Sequence, residues 1–138
     1  MQGEGCPHQV TFLNLVPAEE LGARSAQHDI GLALEESRPP SRDLTITNKL
    51  FHGLQAGLAV VATKTTGQEE AARIANGGVR LLEDNSARAL AQAITHLAGD
   101  PKRLEDAKSA ARRAGSGDLG WPASERKLIA SVQAALGS

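Results

Sequence analysis

The chain has 138 residues, with 15 Lys and Arg against 16 Asp and Glu, a net charge of −1 at neutral pH. That length predicts one domain rather than two, and the balanced charge excludes a sequence-independent nucleic-acid binder, which needs a clustered cationic excess. The longest apolar run, Leu58 to Ala62, is far short of the roughly 20 residues of a spanning helix, so no transmembrane segment is expected.

From the N-terminus, Met1 to Pro7 carries neither the charged start nor the apolar centre of a secretory signal, and residues 1–8 read as a flexible end. Cys6 is the single cysteine and has no internal partner, so the expected compartment is the cytoplasm. The core is expected to be thin, because 23 of the apolar residues are alanines and only Phe12, Phe51 and Trp121 are aromatic.

Short β-rich runs then alternate with helical stretches, the pattern of βα units and a parallel sheet. Four strands are predicted, at Val10 to Val16, Asp29 to Leu34, Leu58 to Thr63 and Gly78 to Leu82. The second and third read as continuous apolar runs, as expected of strands buried on both faces. Pro17, with Glu19 and Glu20 behind it, opens a first helix in which the acids face the positive end of the dipole. A polar loop at Ser37 to Arg42 precedes a second helix from Thr47 to Ala56, with Leu50, Phe51 and Leu54 on one face and Gly57 placed for a left-handed cap.

A third helix spans Gln68 to Asn76, and a fourth, Ser86 to Ala98, places Leu90, Ile94 and Leu97 on one stripe. Asp100 and Pro101 are an N-cap and first-turn proline for a fifth helix, whose apolar face is mostly Leu104, Ala107 and Ala111 and is expected at the surface. The last helix, Pro122 to Leu136, presents Leu128, Ile129, Val132, Ala135 and Leu136 on one stripe and is expected to dock, with Trp121 anchoring it. Between these two helices, Gly115-Ser116-Gly117-Asp118-Leu119-Gly120 matches G-x-G-x-x-G literally. It does not follow a strand, so it reads as a hinge at 115–121 and not as a dinucleotide fingerprint.

In open α/β sheets ligands bind beyond the carboxyl ends of the strands, which directs attention to the loops after Leu34, Thr63 and Leu82. After Leu34 come Glu35 and Glu36, then Asp43-Leu44-Thr45-Ile46-Thr47-Asn48-Lys49 leading into a helix. Free backbone N–H groups, two hydroxyls, an amide and an ammonium group there could cradle an anion or diphosphate. The alternative is that Thr45 or Thr47 is an ordinary N-cap and Lys49 an exposed lysine. The loop Lys64-Thr65-Thr66-Gly67-Gln68-Glu69-Glu70 could close over the other side of a ligand, or be a turn followed by an acidic first turn. His8, His28, His52 and His96 are scattered and suggest no metal site, and no G-x-S-x-G elbow follows a strand.

The stretch Asp29-Ile30-Gly31-Leu32-Ala33-Leu34, with Thr47-Asn48-Lys49-Leu50-Phe51-His52-Gly53-Leu54-Gln55-Ala56-Gly57-Leu58-Ala59-Val60-Val61-Ala62-Thr63, resembles the C-terminal, donor-binding domain of GT-B glycosyltransferases of the family 4 type. The resemblance implies a three-layer, Rossmann-like α/β domain with about four mostly parallel strands, truncated relative to the full GT-B domain. It further implies a nucleotide-sugar ligand with no other cofactor and no metal. Asn48 and Lys49 would face its diphosphate, Glu35, Asp43, Thr45 and Thr47 would line the pocket, and Thr66 and Gly67 would close it. His52 stands where the family carries a glutamate that meets the donor ribose, and an imidazole cannot offer the bidentate acceptor of a carboxylate.

Because the resemblance begins at the third strand of that domain, the expected protein is a donor-binding domain without independent activity. The alternative is a non-catalytic interaction module. The first strand would leave an edge exposed or move beside Asp29 to Leu34, and an exposed edge predicts a homo-oligomer or a partner.

Overall fold

A computed structural model describes residues 10–137. The flexible end expected at 1–8, with Cys6 and His8, lies outside the described residues. The chain folds as α1 (Ala18–Ser25), β1 (Ile30–Ala33), α2 (Pro40–Leu44), α3 (Asn48–Gln55), β2 (Ala59–Ala62), α4 (Thr66–Ala75), β3 (Val79–Leu81), α5 (Ala87–Ala98), α6 (Pro101–Ser116) and α7 (Trp121–Leu136). It is an α/β structure in which three parallel strands, in the order β1-β2-β3, are flanked by helices.

Strand alternation divides the core. On one face Val60 and Ala62 join Leu50 and Leu54 of α3, Ala71 and Ala75 of α4, and Ala111 and Ala114 of α6. On the other, Ala59 and Val61 meet Ala93 and Leu97 of α5, with Leu104 and Ala107 of α6 beside them. β2, with a neighbour on each side, is buried along its whole length, as its continuous apolar run predicts.

Among the described residues the sheet has three strands rather than the four expected. Residues 10–16 belong to no sheet, and Val10, Phe12, Leu13 and Leu15 stay in solvent, Leu15 completely. β propensity alone does not make a strand, because the backbone N–H and C=O groups need a neighbouring ladder. The outer edge of β1 is therefore unpaired among the described residues.

The helix signals hold at most ends. Asp100 accepts from the backbone N–H groups of Lys102 and Arg103, with Pro101 opening α6, and Ser86 caps α5 by accepting from Ala89. Gly57 follows α3 with φ +74°, the left-handed cap expected of it. Pro17 stands at the N-cap of α1, one position before the expected first turn. α4 begins two residues early, because Thr65 caps it by accepting from the Gln68 N–H.

Three other expectations change. The polar loop at 37–42 contains the start of α2. α6 packs closely: Ala110, Ala111, Ala114 and Gly115 are buried, and a Cβ on Gly115 would stand 2.7 Å from the Leu54 carbonyl. Small side chains let two backbones approach, which offsets the shortage of large apolar residues. α7 buries only Ala123, leaving Leu128, Ile129, Val132 and Leu136 exposed and Trp121 65% exposed, so Trp121 does not anchor it. The stretch 115–121 comprises the last two residues of α6, a turn that buries Leu119, and the first residue of α7. Among the described residues no helix is long and apolar enough to cross a membrane.

Candidate functional site

The loops that leave the carboxyl ends of β1, β2 and β3 meet around a buried hydroxyl that the sequence does not single out. Thr63 Oγ1 donates to the Glu35 carbonyl and accepts from the Glu35 N–H, both at 2.8 Å. Gln68, fully buried, donates through Nε2 to the Thr63 carbonyl at 3.1 Å and to Thr63 Oγ1 at 3.0 Å. This knot fixes the β1 loop against the end of β2 and the first turn of α4. The available signal was a pair of polar residues, Thr63 and Gln68, bracketing a turn directly after a fully apolar strand.

Fixing Glu35 also aims its carboxylate. The Glu35 side chain is 12% exposed, and Lys49 Nζ donates to its Oε1 at 2.7 Å while the lysine itself remains 62% exposed. Lys49 lies in the first turn of α3, whose N-cap is Thr47. Thr47 is in the extended conformation of an N-cap, yet its hydroxyl makes no capping bond, and its Oγ1 is buried without a hydrogen-bond partner. By contrast α4, α5 and α6 are capped by their own side chains. The first N–H groups of α3 thus carry the free positive end of a helix dipole, with Asn48 beside them and an ammonium group held nearby by Glu35.

Asp43, Thr45, Thr66 and Gly67 form a separate group. Thr66 donates from its backbone N–H to Asp43 Oδ1 at 3.3 Å and from its hydroxyl to Oδ2 at 2.5 Å, placing a carboxylate at the N-terminus of α4. Thr45 Oγ1 donates to the Ser41 carbonyl at 2.6 Å. A Cβ on Gly67 would lie 2.7 Å from the Thr45 carbonyl, so α4 sits directly on the α2–α3 connection. These four residues clasp α2 to α4.

His52 is placed elsewhere again, in a cleft of about 490 Å³ between α3 and α1, with Glu19, Gly22 and Gln55. The nine expected site residues therefore divide. Glu35, Thr47, Asn48 and Lys49 belong to the end of α3, four are engaged in the clasp, and His52 faces α1.

A second cleft, about 440 Å³, opens on the other side of Glu35. Leu34, Leu82 and Leu90 line it together with Glu36, Thr63, Asn85 and Ser86. Asn85 and Ser86 come from the loop after β3, which the site expectation names without assigning residues. Asp84 accepts from the Ser86 N–H at 2.8 Å, and the bonds from Ser86 hold its carboxyl below the usual aspartate value. Among the described residues, no three of His, Cys, Asp and Glu cluster as metal ligands.

Compared with known proteins, the chain matches no family model, no curated protein and no solved structure.

Proposed function

We propose that the N-terminal end of α3 binds the diphosphate of a nucleotide-sugar, and that the protein is a glycosyltransferase-like donor-binding domain without transferase activity of its own. The observation that carries the reading is the uncapped start of α3: the Thr47 hydroxyl is buried without a partner, and Lys49 stands beside it on the Glu35 carboxylate. A diphosphate would accept from the free N–H groups and draw the exposed Lys49 ammonium from one anionic partner to another. The parallel sheet supports this reading by placing α3 at its carboxyl edge, where open α/β folds take their ligands. The resemblance of the Asn48-Lys49-Leu50-Phe51 stretch to family 4 donor domains supplies the ligand class.

Titration with UDP, GDP and ADP, followed by NMR, is expected to shift the Thr47, Asn48 and Lys49 amides first. Lys49→Ala should weaken the response, and Glu35→Gln, which releases the ammonium from its carboxylate, should strengthen it. Flat titrations across all three nucleotides would sink the proposal.

A second reading, an interaction module that associates with its own copies, is favoured by the unpaired outer edge of β1 and the exposed Leu32 and Leu34 along it. Such an edge presents free N–H and C=O groups to another strand. Light scattering should then give a mass that rises with concentration toward the dimer. A monomer at every concentration removes this reading.

A further inference from the structure

At the far end of the sheet, a groove of about 440 Å³ runs between β3, the last turn of α5 and α6. Asn76 and Gly77, which lead into β3, form its floor. α5 leaves the carboxyl end of β3, so its last turn returns to the amino ends of the strands, opposite the start of α3.

Arg80 from β3, His96 from α5, and Arg103 and Arg113 from α6 line this groove. They come from three elements, so the tertiary fold gathers them and no run of sequence does. Asp106 is the one carboxylate in the lining, and Lys102 holds it at 2.7 Å. Arg103 is tied down by the His96 carbonyl at 2.6 Å and by Asp100 at 3.3 Å. Arg113 donates to a neutral hydroxyl, Ser109 Oγ, at 2.9 Å. Among the described residues neither Arg80 nor Arg113 has a carboxylate within salt-bridge distance.

We infer that this groove is a second anion site, remote from the α3 end, which takes a soluble phosphate-bearing small molecule between Arg80 and Arg113. Guanidinium forks match phosphate oxygens bidentately, and two of them lining one groove with no salt-bridge partner among the described residues leave a positive field that such an anion neutralises. The volume suits a small molecule rather than an extended surface. His96 reports the field: burial lowers its pKa first, then the charges of Arg103 and Arg80, with Asp100 opposing. A bound phosphate would oppose these charges and shift the His96 titration upward.

Inorganic pyrophosphate, added at constant ionic strength and followed by NMR at the arginine Nε and His96 ring signals, tests the inference. Shifts are expected at Arg80, Arg113 and His96, with the His96 titration moved to higher pH. The double variant Arg80→Gln/Arg113→Gln lacks both guanidinium signals and is read at His96, whose response should weaken by roughly tenfold or more, the loss of at least one charge-assisted hydrogen bond. Arg80→Lys/Arg113→Lys should fall between the two, because it keeps charge and loses the fork. The response of Thr47 to Lys49 to UDP should be unchanged in both variants, which separates failure here from failure at α3. A His96 shift that survives in the glutamine variant, shifts that sodium chloride reproduces equally, or shifts that occur only at Asn48 and Lys49 would each overturn the second site.

Discussion

Gly67 is in contact with backbone where a side chain would have to go, and its place in the clasp makes it a sensitive residue. An alanine there would drive its methyl within 2.7 Å of the Thr45 carbonyl and 2.8 Å of the Leu44 oxygen. Neither backbone group can rotate away, so Gly67→Ala should cost roughly 1–3 kcal/mol, read as a lower urea midpoint at unchanged slope. A second residue-scale contact joins distant chain segments. Lys108 Nζ donates to Asp29 Oδ1 at 2.7 Å, and this bond, followed by the lysine charge, holds the Asp29 carboxyl below its ordinary 3.8. A carboxyl lowered in the folded state stabilises fully above its unfolded value and loses that contribution as pH falls through the folded one. The gap in urea midpoint between the native chain and Asp29→Asn should therefore be present at neutral pH and close on acidification below 3.8. A gap that widens in acid would contradict the pairing. Residue types foretold chemistry better than company: Lys49 and Thr47 could be named from a helix start, whereas the Asp43–Thr66 pair joins residues 23 apart and exists only once α2 meets α4.

Elements differ in how their apolar stripes are used. α3 and α7 both carry one, but Leu50 and Leu54 of α3 are fully buried, whereas α7 buries Ala123 alone. Leu54→Ala should cost about 2–5 kcal/mol, the loss of transfer energy plus a cavity. Val132→Ala on α7 should stay within about 0.5 kcal/mol in the monomer, as for a surface position. Equal effects in thermal unfolding would mean that α7 is packed in solution. Helix ends were readable because caps act within a few residues: Asp100 with Pro101, and Gly57, each sit where their side-chain or backbone chemistry requires. Docking was not readable, since amphipathic periodicity says that a face is apolar and not whether another surface lies opposite.

Among the described residues the molecule is a three-stranded parallel sheet flanked by helices, with β1 open on one side and the α7 stripe exposed. These two apolar features predict association by different routes, and single charges separate them. If copies join through the sheet edge, Leu32→Lys should return the light-scattering mass to that of a monomer and Val132→Lys should not; the reverse pattern would place the contact on α7. By itself the sequence determined the α/β class, the order of helices and strands from residue 18 onward except for α2, and the position of the α3 start, because these follow from periodicity, capping and turn chemistry acting over a few residues. Only the tertiary structure decided that residues 10–16 lack a ladder, that an alanine face brings α6 onto α3, and that Asp43 clasps Thr66 while Lys49 leans on Glu35. Those outcomes depend on which distant groups come within hydrogen-bond or van der Waals reach, and chain spacing carries no record of that.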